Sequence, residues 1–263
     1  MSGVGWRRAN RSRRARDVPP AEAAGFRRAE NSYSSGVMMR VWQRLSGTTM
    51  PRHVHRRAYA SVVLAGGYEE AGDSGRFDVS AGDVLIHGEF EAHLNRVERR
   101  GAQVLNLRLN RGTPIVSGLA RVVDVDAIVR IAEKDPALAV SLVLRSASRQ
   151  RMTIKDWPDQ FVMDLHQDPS MSVSEWATRT GLKPWTVSRG FKQVFGVTPE
   201  GFRARHRSRL AWNLLGTEES LATIASGCGF CDQAHMTRGV KGLTGFTPTQ
   251  GRNHANGYKT RAC

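Results

Sequence analysis

VSRGFKQVFGVTP (Val187–Pro199) and MTRGVKGLTGFTP (Met236–Pro248) lie 49 residues apart and share arginine, glycine, lysine, glycine, threonine and proline at six of thirteen positions. A second match lies upstream of each, Ala177-x-x-x-Gly181 and Ala225-x-x-x-Gly229. The chain therefore carries a duplicated unit of roughly fifty residues, and a repeat constrains architecture more than composition does. The unit's chemistry is that of two helices joined by a tight turn. A small alanine lets two helices approach, and a glycine four residues later supplies a positive φ. Ser172 and Glu175 have capping-box spacing, Pro184 suits a first helical turn, and Asp232 suits an N-cap.

On the second helix of each unit, Val187, Phe191 and Val194, and likewise Met236, Val240 and Leu243, fall on one apolar face. Trp185, Ser188, Arg189 and Lys192 then face outward in the first unit, and Gln233, Thr237, Arg238 and Lys241 in the second. These side chains suit a DNA major groove: Arg bonds a guanine edge bidentately, Gln an adenine edge, and Lys and Thr hold phosphates. Helix charges usually make only a solvated face, but recurrence of Arg-x-x-Lys in a basic domain favours DNA contact. Residues 200–215 read as one connecting helix, ~24 Å long at ~1.5 Å per residue. With its packing, that length is suited to holding two recognition helices about one DNA turn, ~34 Å, apart. Arg203, Arg205, Arg207 and Arg209 on it read as phosphate clamps or as solubilising charge.

The stretch from about Trp157 to Arg252, above all SLATIASGCGFCDQAHMTRGVKGLTGFTPTQGR, resembles the DNA-binding domain of the AraC/XylS family of transcription regulators. The resemblance covers over a third of the chain. It implies two helix-turn-helix units entering successive major grooves, mostly in activators, with base reading at Trp185, Ser188 and Arg189, then at Gln233, Ala234, Thr237 and Arg238. The sequence departs from the family pattern at Met236 and Val240, where larger apolar residues are usual, and at Ser208, where leucine is expected. A looser second core is expected from these departures, and a larger share of sequence reading from the first unit.

Upstream, residues 41–109 are β-like: Ser61–Ala65 is a compact apolar run, Arg76–Val79 alternates, Val84–Ile86 follows an Ala-Gly-Asp turn, and Leu105, Leu107 and Leu109 alternate with polar residues. Pro114 is expected to close the β segment. Residues 119–150 lose the period of two and, with Leu119, Val122, Val123, Ile128, Ile131, Leu138, Leu142 and Val143, read as amphipathic helices broken near Pro136. PRHVHRRAYASVVLAGGYEE (51–70) and AGDVLIHGEFEAHLNRV (81–97) resemble the two halves of a cupin sandwich, a common sensor domain of that family. His53 and His55, two apart on a strand, face one side, and His93 arrives from the second half, with His87 as a further candidate. Three imidazoles make a first-row metal set, but the acidic residue that usually follows His-x-His is absent, with Tyr59 near its place. The favoured reading is a pocket whose histidines bind a small ligand or fill space, with no cofactor.

The 263 residues carry a net charge of +15, which favours a polyanionic partner, and 40% are hydrophobic, enough for packed cores. No apolar run approaches the ~18 residues of a membrane span. Eight arginines among residues 1–30 against three acids predict a disordered basic tail, with Met38 and Met39 just before the first strand-like run. Three cysteines make no disulfide framework and suit a reducing cytoplasm. Cys228 and Cys231 have a Cys-x-x-Cys spacing without a second pair, so a structural role is expected.

The expected architecture is α+β and multidomain: a basic tail (1–40), a β-sandwich, cupin-like domain (41–112), a helical linker and dimerisation region (113–152), an all-α double helix-turn-helix domain (153–253) and a short tail (254–263). The expected function is a cytoplasmic, sequence-specific regulator. Its partners are a double-stranded DNA operator, a small-molecule effector, a second copy of the chain and RNA polymerase, with no membrane. The alternative is a metal-dependent cupin enzyme with a DNA-binding appendage.

Overall fold

Two long strands organise the N-terminal half. The computed structural model describes residues 40–259 apart from 46, 111, 112, 114, 151 and 152. The arginine-rich segment before residue 30, Met38, Met39 and Pro114 lie outside the described residues. Strand β3 (Tyr59–Gly72) and strand β6 (Ala92–Arg108) pair antiparallel along most of their length. Their register shifts between Val63 and Ala65 and again between Gly66 and Tyr68, and such bulges bend a strand. Each half of the pair therefore meets different neighbours. On β3, Tyr59–Val62 pairs β5 (Asp83–His87) and Gly67–Gly72 pairs β4 (Gly75–Ser80). On β6, the start pairs β2 (Thr49–Val54) and the end pairs β1 (Arg40–Leu45). β7 (Gly118–Arg121) and β8 (Ser148–Arg149) extend the sheet beyond β5.

The period of two sorts β3 onto two cores. Ala60 and Val62, with Val84, Leu105 and Leu107, pack against α1 (Val125–Lys134) and α2 (Pro136–Ser146) through Ile128, Ala132, Ala139, Val140 and Val143. Val63 on the opposite face joins Leu85, Val104, Tyr68, Phe77 and Val79. The helix break expected near Pro136 is present: Asp135 caps α2 through bonds from the amides of Ala137 and Leu138, and Pro136 occupies its first turn. The helical reading of residues 119–150 needs correction at its ends. Leu119 sits in β7 opposite Leu85, where pairing with β5 claims its backbone, and Val123 is fully exposed. Residues 113–152 thus contribute two strands to the sheet as well as the helices.

The C-terminal half is helical: α3 (Trp157–Gln167), α4 (Val173–Thr180), α5 (Pro184–Phe195), α6 (Pro199–Leu214), α7 (Leu221–Gly227), α8 (Gln233–Thr244) and α9 (Pro248–Lys259). Sheet and helices form one compact unit. Ala71 of β3 and Leu94 of β6 complete the apolar core made by Phe161, Leu165, Phe191, Phe195 and Phe202. Polar contacts reinforce that seam. Arg76 of β4 grips Asp159 of α3 bidentately, Nε to Oδ1 at 2.9 Å and Nη2 to Oδ2 at 2.7 Å, and reaches Asp156. Arg96 donates to the carbonyls of Gln193 and Val194, and Arg52 to that of Phe195. Two sheet arginines thereby satisfy orphan carbonyls at the negative end of α5.

Each of the four arginines of α6 makes an internal bond. Arg203 donates to the carbonyl of Ser170, Arg205 to that of Phe90, and Arg207 to that of Gly229, while Arg209 pairs with Glu91. Arg205 and Arg209 dock α6 on the sheet side, and no periodicity distinguishes a docked arginine from a solvated one.

Asp159 is fully buried and the Arg76 side chain nearly so, so Asp159→Ala leaves a buried cation short of its main partner. A loss of about 3 kcal/mol is expected, at the low end for a broken buried pair because Asp156 remains. Urea unfolding measures it, and a loss below about 0.5 kcal/mol, ordinary for a surface change, contradicts the seam. A second test concerns His206 on α6. Burial, with His166 and Arg209 adding to it, lowers its pKa to about 4. A histidine depressed below its unfolded value of about 6.5 contributes stability above that value and loses it as the pH falls toward 4. Thermal melts should therefore drop across pH 6.5 to 4, and His206→Gln should flatten that drop; identical slopes contradict a neutral buried His206.

Candidate nucleic-acid interface and histidine cluster

Both helix-turn-helix units use the same local devices. In the first, Ser172 Oγ accepts from the Glu175 amide at 3.1 Å and Glu175 Oε2 from the Ser172 amide at 2.8 Å. Those bonds from Ser172 hold the Glu175 carboxyl below its usual range. Gly181 then turns left-handed at φ 70°, and the Leu182 amide bonds the Ala177 carbonyl. In the second, Ser220 caps α7, Gly229 turns at φ 76°, and the Phe230 amide bonds the Ala225 carbonyl. The repeated Ala-x-x-x-Gly is therefore the end of one helix and the turn that follows it. Asp232 accepts from the His235 amide to open α8.

Each recognition helix, α5 and α8, runs twelve residues. Their deepest rows are Val187, Phe191, Phe195 and Met236, Val240, Thr244. Val194 and Leu243, expected on those rows, are only half-buried, because the i, i+4, i+8 row packs most squarely here. Thr244 is tolerated in the core because its hydroxyl donates to the Val240 carbonyl at 2.8 Å. Ser208 also has a physical account. It is buried, bonds the Ala204 carbonyl, and faces Gly239, where a Cβ would come within 2.8 Å of the Ser208 oxygen. α6 and α8 approach closely there, and a leucine at 208 has no room. The matching Gly190 lies equally tight against the Trp157 ring.

The proposed reading residues are distributed as follows. Trp185, 62% exposed, stands with Arg189 and Lys192 on the open side of α5, and Gln233, Ala234, Arg238 and Lys241 stand on that of α8. Ser188 and Thr237 are half-buried, and the Thr237 hydroxyl already donates to the Gln233 carbonyl. Arg189, Lys192, Arg238 and Lys241 are exposed and make no ion pair among the described residues, in contrast to the docked arginines of α6. Two helices thus present unpaired cations beside side chains with donor and acceptor capacity.

The histidines come together as a second constellation. His53 pairs with His93 across β2 and β6, their ring centroids 4.5 Å apart, and His55 lies 5.1 Å from His93. His87 ends β5, 4.7 Å from His93, and stacks on Tyr59. His53 and His55 are half-buried and His87 and His93 buried. Burial lowers His55 to about 4 and His87 to about 3, while burial and Glu91 push Glu70 well up. His55 and His87 are therefore neutral at pH 7. The Glu70 carboxyl beside them was not legible in the sequence, because Glu70 lies in an alternating strand with no motif around it. Cys228 is buried and Cys231 exposed, both free, and neither joins a metal-capable group among the described residues.

A helix-turn-helix domain family matches residues 176–254. Among characterised proteins, the arabinose operon regulatory protein of Escherichia coli is 30% identical over 94 residues, which are 35% of this chain and 32% of that protein. The HTH-type transcriptional regulator ExsA of Pseudomonas aeruginosa is 28% identical over 94 residues, 35% of this chain and 34% of that protein. The chain thus spans about a third of the length of the curated relatives it matches. Among solved structures, fatty-acid-bound ToxT from Vibrio cholerae is 11% identical with a TM-score of 0.39, over 82% of this chain and 95% of that one. The matched segment holds both units whose caps and turn glycines are described above, and the C-terminal region of this chain is an AraC-type helix-turn-helix domain.

Proposed function

We propose that the chain is a sequence-specific DNA-binding transcription regulator whose N-terminal domain receives a chemical signal. The carrying observation is the pair of recognition helices that keep Arg189, Lys192, Arg238 and Lys241 exposed and unpaired while neighbouring arginines are internally bonded. Arginine and glutamine on such helices read base edges, and lysine and threonine hold phosphate. Duplex DNA is the partner, and two chains on adjacent half-sites, working with RNA polymerase in the cytoplasm, fit the reading. The relatives' printed roles in operon and transcriptional regulation agree with it. The seam between sheet and α6 supplies a route for the signal, because any change at the Glu91 end of the sheet bears on Arg209. Reaction chemistry is not part of this reading.

Selection of bound sequences from a random duplex pool by the full chain is expected to enrich one bipartite motif. Failure to enrich any motif contradicts the proposal. On the selected duplex, Arg238→Ala should cost ~1–3 kcal/mol and relax preference at one base pair. A uniform loss over all sequences makes Arg238 a phosphate contact instead. Binding should also weaken steeply with salt.

A further inference from the structure

The histidine cluster has an inner part that the His-x-His pattern does not announce. Glu70 Oε1 lies 3.7 Å from His87 Nδ1 and 3.7 Å from His93 Nδ1. All three residues are buried, and one ligand atom from each lies within 4.8 Å of the other two. His93 Nδ1 and His87 Nε2 are buried without a hydrogen-bond partner among the described residues, on side chains only 4% exposed. Buried polar atoms are nearly always satisfied, so the orphaned His93 Nδ1 beside the Glu70 carboxylate, with His87 Nδ1 equally near it, calls for a ligand. Donors at ~2.0–2.1 Å around a tetrahedral ion lie ~3.4 Å from one another. The two separations of 3.7 Å from Glu70 are near that spacing, and the third, between the imidazoles, is within 4.8 Å.

We propose that Glu70, His87 and His93 bind one first-row divalent transition-metal ion of the zinc type. Two imidazoles with one carboxylate favour such ions over magnesium or calcium, which take all-oxygen sets. Glu91 Oε2, 3.8 Å from His87 Nδ1, stands near enough to serve as a fourth donor. Its other oxygen pairs with Arg209 of α6. The ion therefore sits one residue from the helix that carries both helix-turn-helix units, and its regulatory consequence, though not the binding itself, rests on the regulator reading above. The outer group, His53, His55 and His93, shares His93 but is half-buried at two of its three positions. The Nδ1 of His53 is committed to the Pro51 carbonyl at 2.9 Å.

The test uses the full chain freed of metal by a chelator and titrated with cobalt(II) chloride and, separately, with zinc chloride. No DNA is present, so failure here is distinct from failure of the DNA-binding reading. The expected result is one ion per chain, with visible d–d absorption from cobalt and no thiolate charge-transfer band, which separates the site from Cys228 and Cys231. Glu70→Gln and His87→Ala, each verified as folded by circular dichroism, should weaken binding at least about tenfold, whereas His53→Ala should leave stoichiometry and affinity unchanged. The conservative Glu70 variant keeps the test decisive if His87→Ala misfolds. Absence of binding to the folded wild-type chain overturns the proposal. Loss in His53→Ala with retention in Glu70→Gln also overturns it.

Discussion

The buried carboxylate of Asp73 is the constraint around which sheet and helices are arranged. It lies in the turn between β3 and β4, with a side chain only 3% exposed. Its Oδ2 accepts from the Ala92 amide at 2.9 Å, its Oδ1 pairs with Arg52, and Arg205 and Arg209 of α6 stand within 3.5 Å. Its backbone carbonyl meets the His166 ring nitrogen at 2.8 Å. An anion buried this deeply persists only when cations and amides surround it. Here the cations come from both the sheet and the connector helix. Satisfying Asp73 therefore fixes where α6 sits, and α6 packs against the helices of both helix-turn-helix units.

That requirement divides the positive charge of the molecule. Arg52, Arg76, Arg96, Arg205 and Arg209 are spent on acidic groups and helix carbonyls within the fold. Arg189, Lys192, Arg238 and Lys241 are left to solvent on the recognition helices. A net charge of +15 suits a polyanion, and the proposed DNA-facing surface is the one lined by those four cations. The same seam carries Glu91, which links the histidine cluster to α6.

The C-terminal architecture was legible because its signals are local. Ser172 with Glu175, the glycines at 181 and 229, Pro184 and Asp232 each act within a few residues, and each forms the cap or turn expected of it. The short strands and the break at Pro136 were legible for the same reason. The clamps were not: Arg76 and Asp159 are 83 residues apart, and Arg209 and Glu91 are 118 apart. No periodicity couples such pairs. The fate of Leu119 was hidden because a four-residue strand has too few positions to show alternation. Of the histidine cluster, the sequence marked His53, His55, His87 and His93, whereas Glu70 entered only when β3 bent past β6.

Two helices of one chain reading successive major grooves is the proposal with the sharpest spatial signature. Hydroxyl-radical footprinting of the full chain on a selected duplex tests it most directly. Two protected patches are expected on one face of the DNA, centred about one helical turn, ~34 Å, apart for each bound chain. Arg189→Ala is expected to weaken one patch and Arg238→Ala the other. A single patch, or uniform protection along the duplex, would contradict the proposal.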